Sequence, residues 1–162
     1  EGLSSSYSDF VNCVGLRVFG GYGPGEEWKK EFGSVLYMFI RDYMNGKAPE
    51  VWGDGGQTRD FIYVEDIVKA AVRAAEIDYR GVINVGTGRD ISFKELLSLV
   101  KSSVGSGADP VFIPKDKNYV DNLKADTTLM KSLLGIETIT IQEGIIKFVD
   151  YLKQNQSSTA SL

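Results

Sequence analysis

The 162-residue chain is 43% apolar and 25% charged with only 4 prolines, a balance that suits one globular domain with a real core and excludes a disordered or collagen-like chain. Its net charge of −4 contains no block of like charges, which excludes a phosphate-neutralising nucleic-acid surface. No apolar run approaches the ~20 residues that span a bilayer, so small molecules are the expected partners. With Cys13 as sole cysteine and no histidine, internal disulfides, cysteine-rich zinc sites and Ser-His-Asp triads are excluded, no metal site is expected, and chemistry must run on Tyr, Lys, Ser/Thr or carboxylates in a reducing cytoplasm.

Residues 1–10 read as the end of a helix without its beginning: there is no initiating Met and no clear cap, so the chain is expected to be the later part of a longer one. Residues 13–19 form an apolar run of strand formers that ends at Gly20-Gly21-Tyr22-Gly23-Pro24-Gly25, predicting a buried strand that enters a loop, the place where open α/β sheets bind ligands. Leu36, Phe39, Ile40 and Tyr43 mark a helix over 34–45, stopped by Gly46 and Pro49. Strands follow at 50–52 and 60–64 around the turn Gly53-Asp54-Gly55-Gly56.

A helix over 64–76 is expected to bury Val64, Ile67, Val68, Ala71, Val72 and Ala75, with Glu65 and Asp66 near its start. Residues 81–85 predict a second buried strand delivering Gly86-Thr87-Gly88 to a loop. Ser92 and Glu95 then form a capping box for a helix striped by Phe93, Leu96, Leu97, Val100 and Val104 and ended by Gly105. Residues 111–113 read as a strand, Asp126 as the cap of a helix ending at Gly135, and Thr140 with Glu143 as a second capping box. The helix it opens buries Ile141, Ile145, Phe148, Val149 and Leu152, and the polar residues 154–162 read as a flexible tail.

Alternating strands and helices predict an α/β fold with parallel sheet. Two apolar strands make a poor sheet alone, so an apolar edge is expected to be exposed or paired with a partner.

Three runs, Leu16-Arg17-Val18-Phe19-Gly20-Gly21-Tyr22-Gly23-Pro24, then residues 53–66 from Gly53-Asp54-Gly55-Gly56-Gln57 through Arg59-Asp60-Phe61 to Asp66, then Asn84-Val85-Gly86-Thr87-Gly88, together resemble the extended short-chain dehydrogenase family that acts on nucleotide sugars. In the loop 22–35 the chain is similar to ADP-glyceromanno-heptose 6-epimerases. Gly20, however, stands where the family usually has a substrate-binding asparagine, and Trp28 and Met38 stand where those epimerases carry histidines.

The resemblance implies the last strands of a Rossmann-type parallel sheet (1–24 and 61–90) plus a small α/β substrate-binding lobe (25–60 and 91–153). It implies a nucleoside-diphosphate sugar as substrate and NAD or NADP as cofactor of the complete protein. The dinucleotide fingerprint and the catalytic Tyr-x-x-x-Lys would belong to a missing N-terminal half, so this piece alone is expected to bind no cofactor and not to turn over. The resemblance implies an epimerase first, with a 4,6-dehydratase or 4-epimerase of the same family, or a non-catalytic nucleotide-binding or interaction domain, as alternatives; homo-oligomerisation stays open, because the family dimerises through helices this chain mostly lacks.

Residue by residue, the resemblance places Arg59 on the diphosphate, where its planar fork of donors fits; an ion pair with Asp60 or a neighbouring carboxylate is the alternative. Lys29 falls on a lysine that serves as a second acid/base, or it is a solvated loop lysine. Tyr119 falls on a substrate-contacting tyrosine, or it packs like most of the 8 tyrosines. Gly20 is carried over as a substrate position, and Phe19, Gly20 and Gly21 line the approach to the nicotinamide, or Gly-Gly simply makes a sharp loop.

Asp60, Asp66 and Asn84 read as structural. Tyr43-Met44-Asn45-Gly46-Lys47 has Tyr-x-x-x-Lys spacing, but Gly46 breaks the helix such a pair needs. Gly86-Thr87-Gly88 and Gly21-Tyr22-Gly23 each lack the third glycine of a dinucleotide fingerprint.

Overall fold

A computed structural model describes residues 13–159; the helix end read over 1–10 lies outside them. Strand β1 (Val14–Val18) runs parallel to β5 (Gly81–Val85), with Leu16 opposite Ile83. Phe19 still donates its N–H to Val85 O at 2.9 Å, but the next residues leave β5. Gly20–Tyr22 form β2, parallel to β4 (Thr58–Tyr63), with Gly20 opposite Phe61.

The glycine run therefore begins as strand, not loop. A Cβ on Gly20 would stand 2.7 Å from Asp60 O, so only glycine lets β2 lie this close to β4. The loop itself starts at Gly23, whose φ of 138° suits glycine. Nor is β1 deeply buried, for Val18 is 44% exposed.

Strand β4 organises the molecule. Besides β2 it pairs antiparallel with β6 (Asp90–Ser92) and parallel with the short β8 (Asn122–Leu123), while β3 (Glu50–Trp52) and β7 (Val111–Ile113) form a separate parallel pair. Because side chains alternate along a strand, β4 feeds two cores. Phe61 and Tyr63 join a cluster with Leu36, Phe39, Phe93 and Phe148, whereas Ile62 joins Ala70, Ile83, Val85, Met130 and Leu134. Burying a side chain such as Phe148, 0% exposed, stabilises by about 1.5–3 kcal/mol.

Helix α1 (Val35–Met44) starts at Ser34, whose hydroxyl accepts the Tyr37 N–H, and buries Leu36, Phe39, Ile40 and Tyr43. Helix α3 (Phe93–Val104) starts at Ser92, which accepts the Glu95 N–H, and ends at Gly105 with φ 93°. At α4 (Ile141–Thr159) the capping box closes both ways: Glu143 N–H donates to Thr140 Oγ1 at 3.2 Å and Thr140 N–H to Glu143 Oε2 at 2.8 Å.

Two expectations need correcting. Helix α2 (Val64–Glu76) buries Asp66, Ala70 and Ala74, while Val68 and Val72 are 57% and 56% exposed; the helix sits on its sheet through its smallest side chains, which allow close approach. As expected, Asp126 caps a helical run over 128–134 by accepting the Thr128 N–H at 2.9 Å, and Gly135 ends it with φ 62°, although the run widens at Met130–Leu134. Finally, α4 continues to Thr159 through residues read as tail, since each added residue gains a main-chain bond and Asn155 also donates its amide to Tyr151 O. Among the described residues no helix is long and apolar enough to cross a membrane.

Candidate functional site

Of the expected site residues, Tyr119 lines one hollow and Phe19, Gly21 and Lys29 line a second. The larger, about 610 Å³, lies beside α1 and is walled by Phe39, Val51, Trp52, Phe93 and Tyr119, with Arg41, Lys47 and Glu50 also among its lining residues. Trp52 ends β3 and is 47% exposed. Its ring lies 5.7 Å from the Tyr119 ring.

Arg59, from β4, stands against the same aromatic wall. Its guanidinium carbon is 5.0 Å from the centre of the Tyr119 ring and 5.7 Å from that of Phe93, a half-buried cation on aromatic faces. Nη1 donates to Thr58 O at 2.7 Å and Asp121 O at 3.1 Å, and Nη2 to Val120 O at 2.6 Å. The alternative of an ion pair with Asp60 is not what the structure adopts. These contacts bring Arg59 and Tyr119 together across 60 residues of sequence.

Asp60 points to the other face of β4 and is 1% exposed. Its Oδ1 accepts the Thr87 N–H at 2.9 Å and the Thr87 hydroxyl at 2.6 Å, and its Oδ2 accepts the N–H groups of Gly88 at 2.8 Å and Ala125 at 3.2 Å. The Gly86-Thr87-Gly88 loop thus spends on this carboxylate the N–H groups a phosphate would need. Asp66 likewise takes the Ile139 N–H at 3.0 Å and Lys69 Nζ at 2.8 Å, and Asn84 bridges Arg17 at 3.1 Å to Asp126 O at 3.2 Å. All three are structural. Tyr43 is 2% exposed in α1, which ends at Met44 before Lys47, so that pair shares no continuous helix.

The second hollow, about 410 Å³, opens where β1 gives way to β2. Phe19, Gly21, Gly23, Pro24 and Lys29 line it, together with Val64 and Ile67 of α2. A Cβ on Gly21 would stand 2.9 Å from Ile67 Cδ1, so glycine keeps this hollow open. Gly20 lies off both hollows, facing the β4 backbone. Tyr22 also lines it; burial, then the nearby Tyr63 and Asp66, raises its phenol well above the usual tyrosine range, so it stays a neutral phenol near neutral pH rather than a phenolate base.

Sequence reasoning missed Trp52, Phe93 and Glu26 as parts of these sites. Glu26 is 3% exposed in a short turn (Glu26–Phe32) that carries Lys29. A glutamate in a polar loop gives no local sign of burial. Trp52 offered one: a large aromatic next to a glycine-rich turn.

The residues present fit only the edge of a nicotinamide site at Phe19 and Gly21. Among the described residues, no glycine-rich turn with free N–H groups opens a helix to take a pyrophosphate.

Comparison with known proteins bears on the family and the fold. Residues 3–86 match the NAD dependent epimerase/dehydratase family. The UDP-glucose 4-epimerase of Mycolicibacterium smegmatis is 31% identical over 145 residues, 88% of this chain and 46% of that protein. The crystal structure of UDP-glucose 4-epimerase with UDP-glucose from Thermotoga maritima superposes with a TM-score of 0.88 at 30% identity, covering 96% of this chain and 50% of that one. A UDP-glucuronic acid 4-epimerase from Bacillus cereus, in complex with UDP-glucuronic acid and NAD, gives 0.81 at 27% identity, covering 94% and 49%. The chain spans about half the length of the relatives it matches. With three sequence signatures in order, a parallel-stranded α/β fold and a family match across β1 to β5, this chain belongs to the NAD dependent epimerase/dehydratase family.

Proposed function

We propose that the chain is the substrate-binding half of an NAD-dependent nucleoside-diphosphate-sugar epimerase. The observation that carries this reading is the Arg59 guanidinium, held over the Tyr119 and Phe93 rings that line an aromatic hollow. A guanidinium has five N–H donors; three reach main-chain carbonyls, which leaves two to meet phosphate oxygens. A planar base would stack in the hollow of Trp52 and Tyr119, and the diphosphate would pass Arg59.

The sugar would then reach the second hollow, where Lys29 would take the proton released from the sugar hydroxyl as its carbon is oxidised and return it when that carbon is reduced. When bound, NAD would supply the hydride acceptor and donor for that carbon. Phe19 and Gly21 would border the nicotinamide, with the rest of the cofactor on the other half of the polypeptide. This half orients; alone it is expected not to turn over.

The names of the relatives favour inversion at C4 of a UDP-sugar. The gapless likeness of the loop 22–35 to ADP-glyceromanno-heptose 6-epimerases, Lys29 included, favours an ADP-heptose as the second reading. Product analysis separates them: the full polypeptide with NAD is expected to interconvert UDP-glucose and its C4 epimer. Conversion of an ADP-linked heptose instead favours the second reading, and consumption of either sugar without bound nicotinamide contradicts both.

A further inference from the structure

The segment from Gly23 to Ser34 that carries Lys29 gains little from burial. Trp28 and Phe32, its largest apolar side chains, are 86% and 89% exposed. Hydrophobic packing therefore cannot be what sets its conformation.

Polar ties do so instead. The carboxylate of Glu26, 3% exposed, accepts the Gly23 N–H at 3.1 Å on Oε1 and the Ser34 N–H at 2.5 Å on Oε2, with the Ser34 hydroxyl also donating to Oε1 at 3.0 Å. One side chain thus joins the two ends of the loop. Because the Ser34 hydroxyl oxygen also accepts the Tyr37 N–H at 3.1 Å, the tie continues into the first turn of α1. On the outer side, Glu27 accepts the Gly25 N–H at 3.0 Å and the Tyr151 hydroxyl of α4 at 2.8 Å. Adjacent glutamates fasten the loop inward and outward.

We propose that Glu26 and Tyr151 are positioning residues: they hold the Lys29 loop as a preformed wall of the second hollow, so that Lys29 meets the sugar in fixed register rather than on a moving lid. This rests on the reading of Lys29 as the acid/base. A glutamine at 26 keeps the shape of the side chain but turns one acceptor into a donor facing donors, and Tyr151→Phe removes a single hydroxyl.

The test has two arms. In the 162-residue chain, trypsin cuts after Lys29 and Lys30; Glu26→Gln is expected to speed that cut by about tenfold or more while cleavage elsewhere is unchanged. An unchanged rate at this site overturns the proposal. In the full polypeptide with NAD, assayed on UDP-glucose and on an ADP-linked heptose, Glu26→Gln is expected to lower kcat about tenfold or more with KM within about twofold. Tyr151→Phe is expected to lower it less. The double variant Glu26→Gln/Lys29→Ala should be no slower than Lys29→Ala alone, since misplacing an absent group changes nothing.

Losses that multiply, or a Glu26→Gln protein of full kcat beside a disabled Lys29→Ala, overturn the positioning role and leave the epimerase reading intact. A Lys29→Ala protein of full kcat, or no turnover of either sugar by the unsubstituted protein, overturns the catalytic reading of Lys29; the proteolysis arm then still decides whether Glu26 fixes the loop.

Discussion

Arg59 and Tyr119 hold each other in place: the guanidinium carbon lies 5.0 Å from the centre of the Tyr119 ring, and Nη2 donates at 2.6 Å to the main-chain oxygen of Val120, the next residue. The aromatic wall and the cation form one unit. It follows that the ring of Tyr119 matters more than its hydroxyl. Tyr119→Phe is expected to bind UDP-glucose within about twofold of the parent, and Tyr119→Ala about fivefold more weakly, near the upper end for a solvent-accessible cation on a ring. Quenching of Trp52 fluorescence in a Trp28→Phe background, with Trp52 5.7 Å from Tyr119, measures both.

Asp60 carries the junction between β4, the Gly86-Thr87-Gly88 loop and Ala125 through four hydrogen bonds to one buried carboxylate. Asp60→Asn keeps the volume but aims an NH2 at N–H donors. We expect a loss of about 3 kcal/mol or more, read as a lower urea midpoint at unchanged slope. A change below about 0.5 kcal/mol, ordinary for surface substitutions, would show that the loop does not depend on this clamp.

Gly144 packs α4 against β2. A Cβ there would stand 1.8 Å from the Tyr22 hydroxyl oxygen, too near for anything but a shift. Although alanine is the better helix former, Gly144→Ala is expected to destabilise by about 1–3 kcal/mol through overpacking. Adding Tyr22→Phe, which deletes the obstructing oxygen, should recover part of that loss in thermal melts. Additive losses would contradict the contact.

The α4 capping box sets an acid limb. Donation from the Thr140 hydroxyl, then from its N–H, holds the Glu143 carboxyl below its ordinary value of 4.5. A group depressed on folding stabilises above its unfolded value and loses that contribution as pH falls through the folded one. Stability should therefore decline below about pH 4.5, and Glu143→Gln should flatten part of the decline while lowering stability at neutral pH. Urea midpoints at pH 7, 5 and 3 give the comparison.

The helices were legible in the sequence because their signals are local. Ser92 with Glu95 and Thr140 with Glu143 start α3 and α4 at the predicted residues, and the 3.6-residue stripes of α1, α3 and α4 are buried with only Ile141 and Val104 half-covered. Strand β2 was not legible, for Gly20-Gly21 reads as a loop and becomes strand only through pairing with β4, some 40 residues away. In α2, hydrophobicity pointed to Val68 and Val72, yet the sheet accepts the side with Ala70 and Ala74 because space there is short.

The candidate site divides the same way. Motif resemblance pointed to Arg59, Tyr119 and the Phe19–Gly21 strand end, whose neighbours come from distant segments that no window of sequence joins. Glu26 left no trace, since its burial depends on how Gly23 and Ser34 close around it.

Titration calorimetry of UDP-glucose and of an ADP-linked heptose into the NAD-bound full polypeptide, repeated with Arg59→Lys, tests the central claim most directly. The account predicts binding of at least one of the two, weakened about tenfold or more in the lysine variant, because an ammonium cannot reproduce the guanidinium fork or its stacking. Equal affinity in the two proteins, or no heat with either ligand, would contradict it.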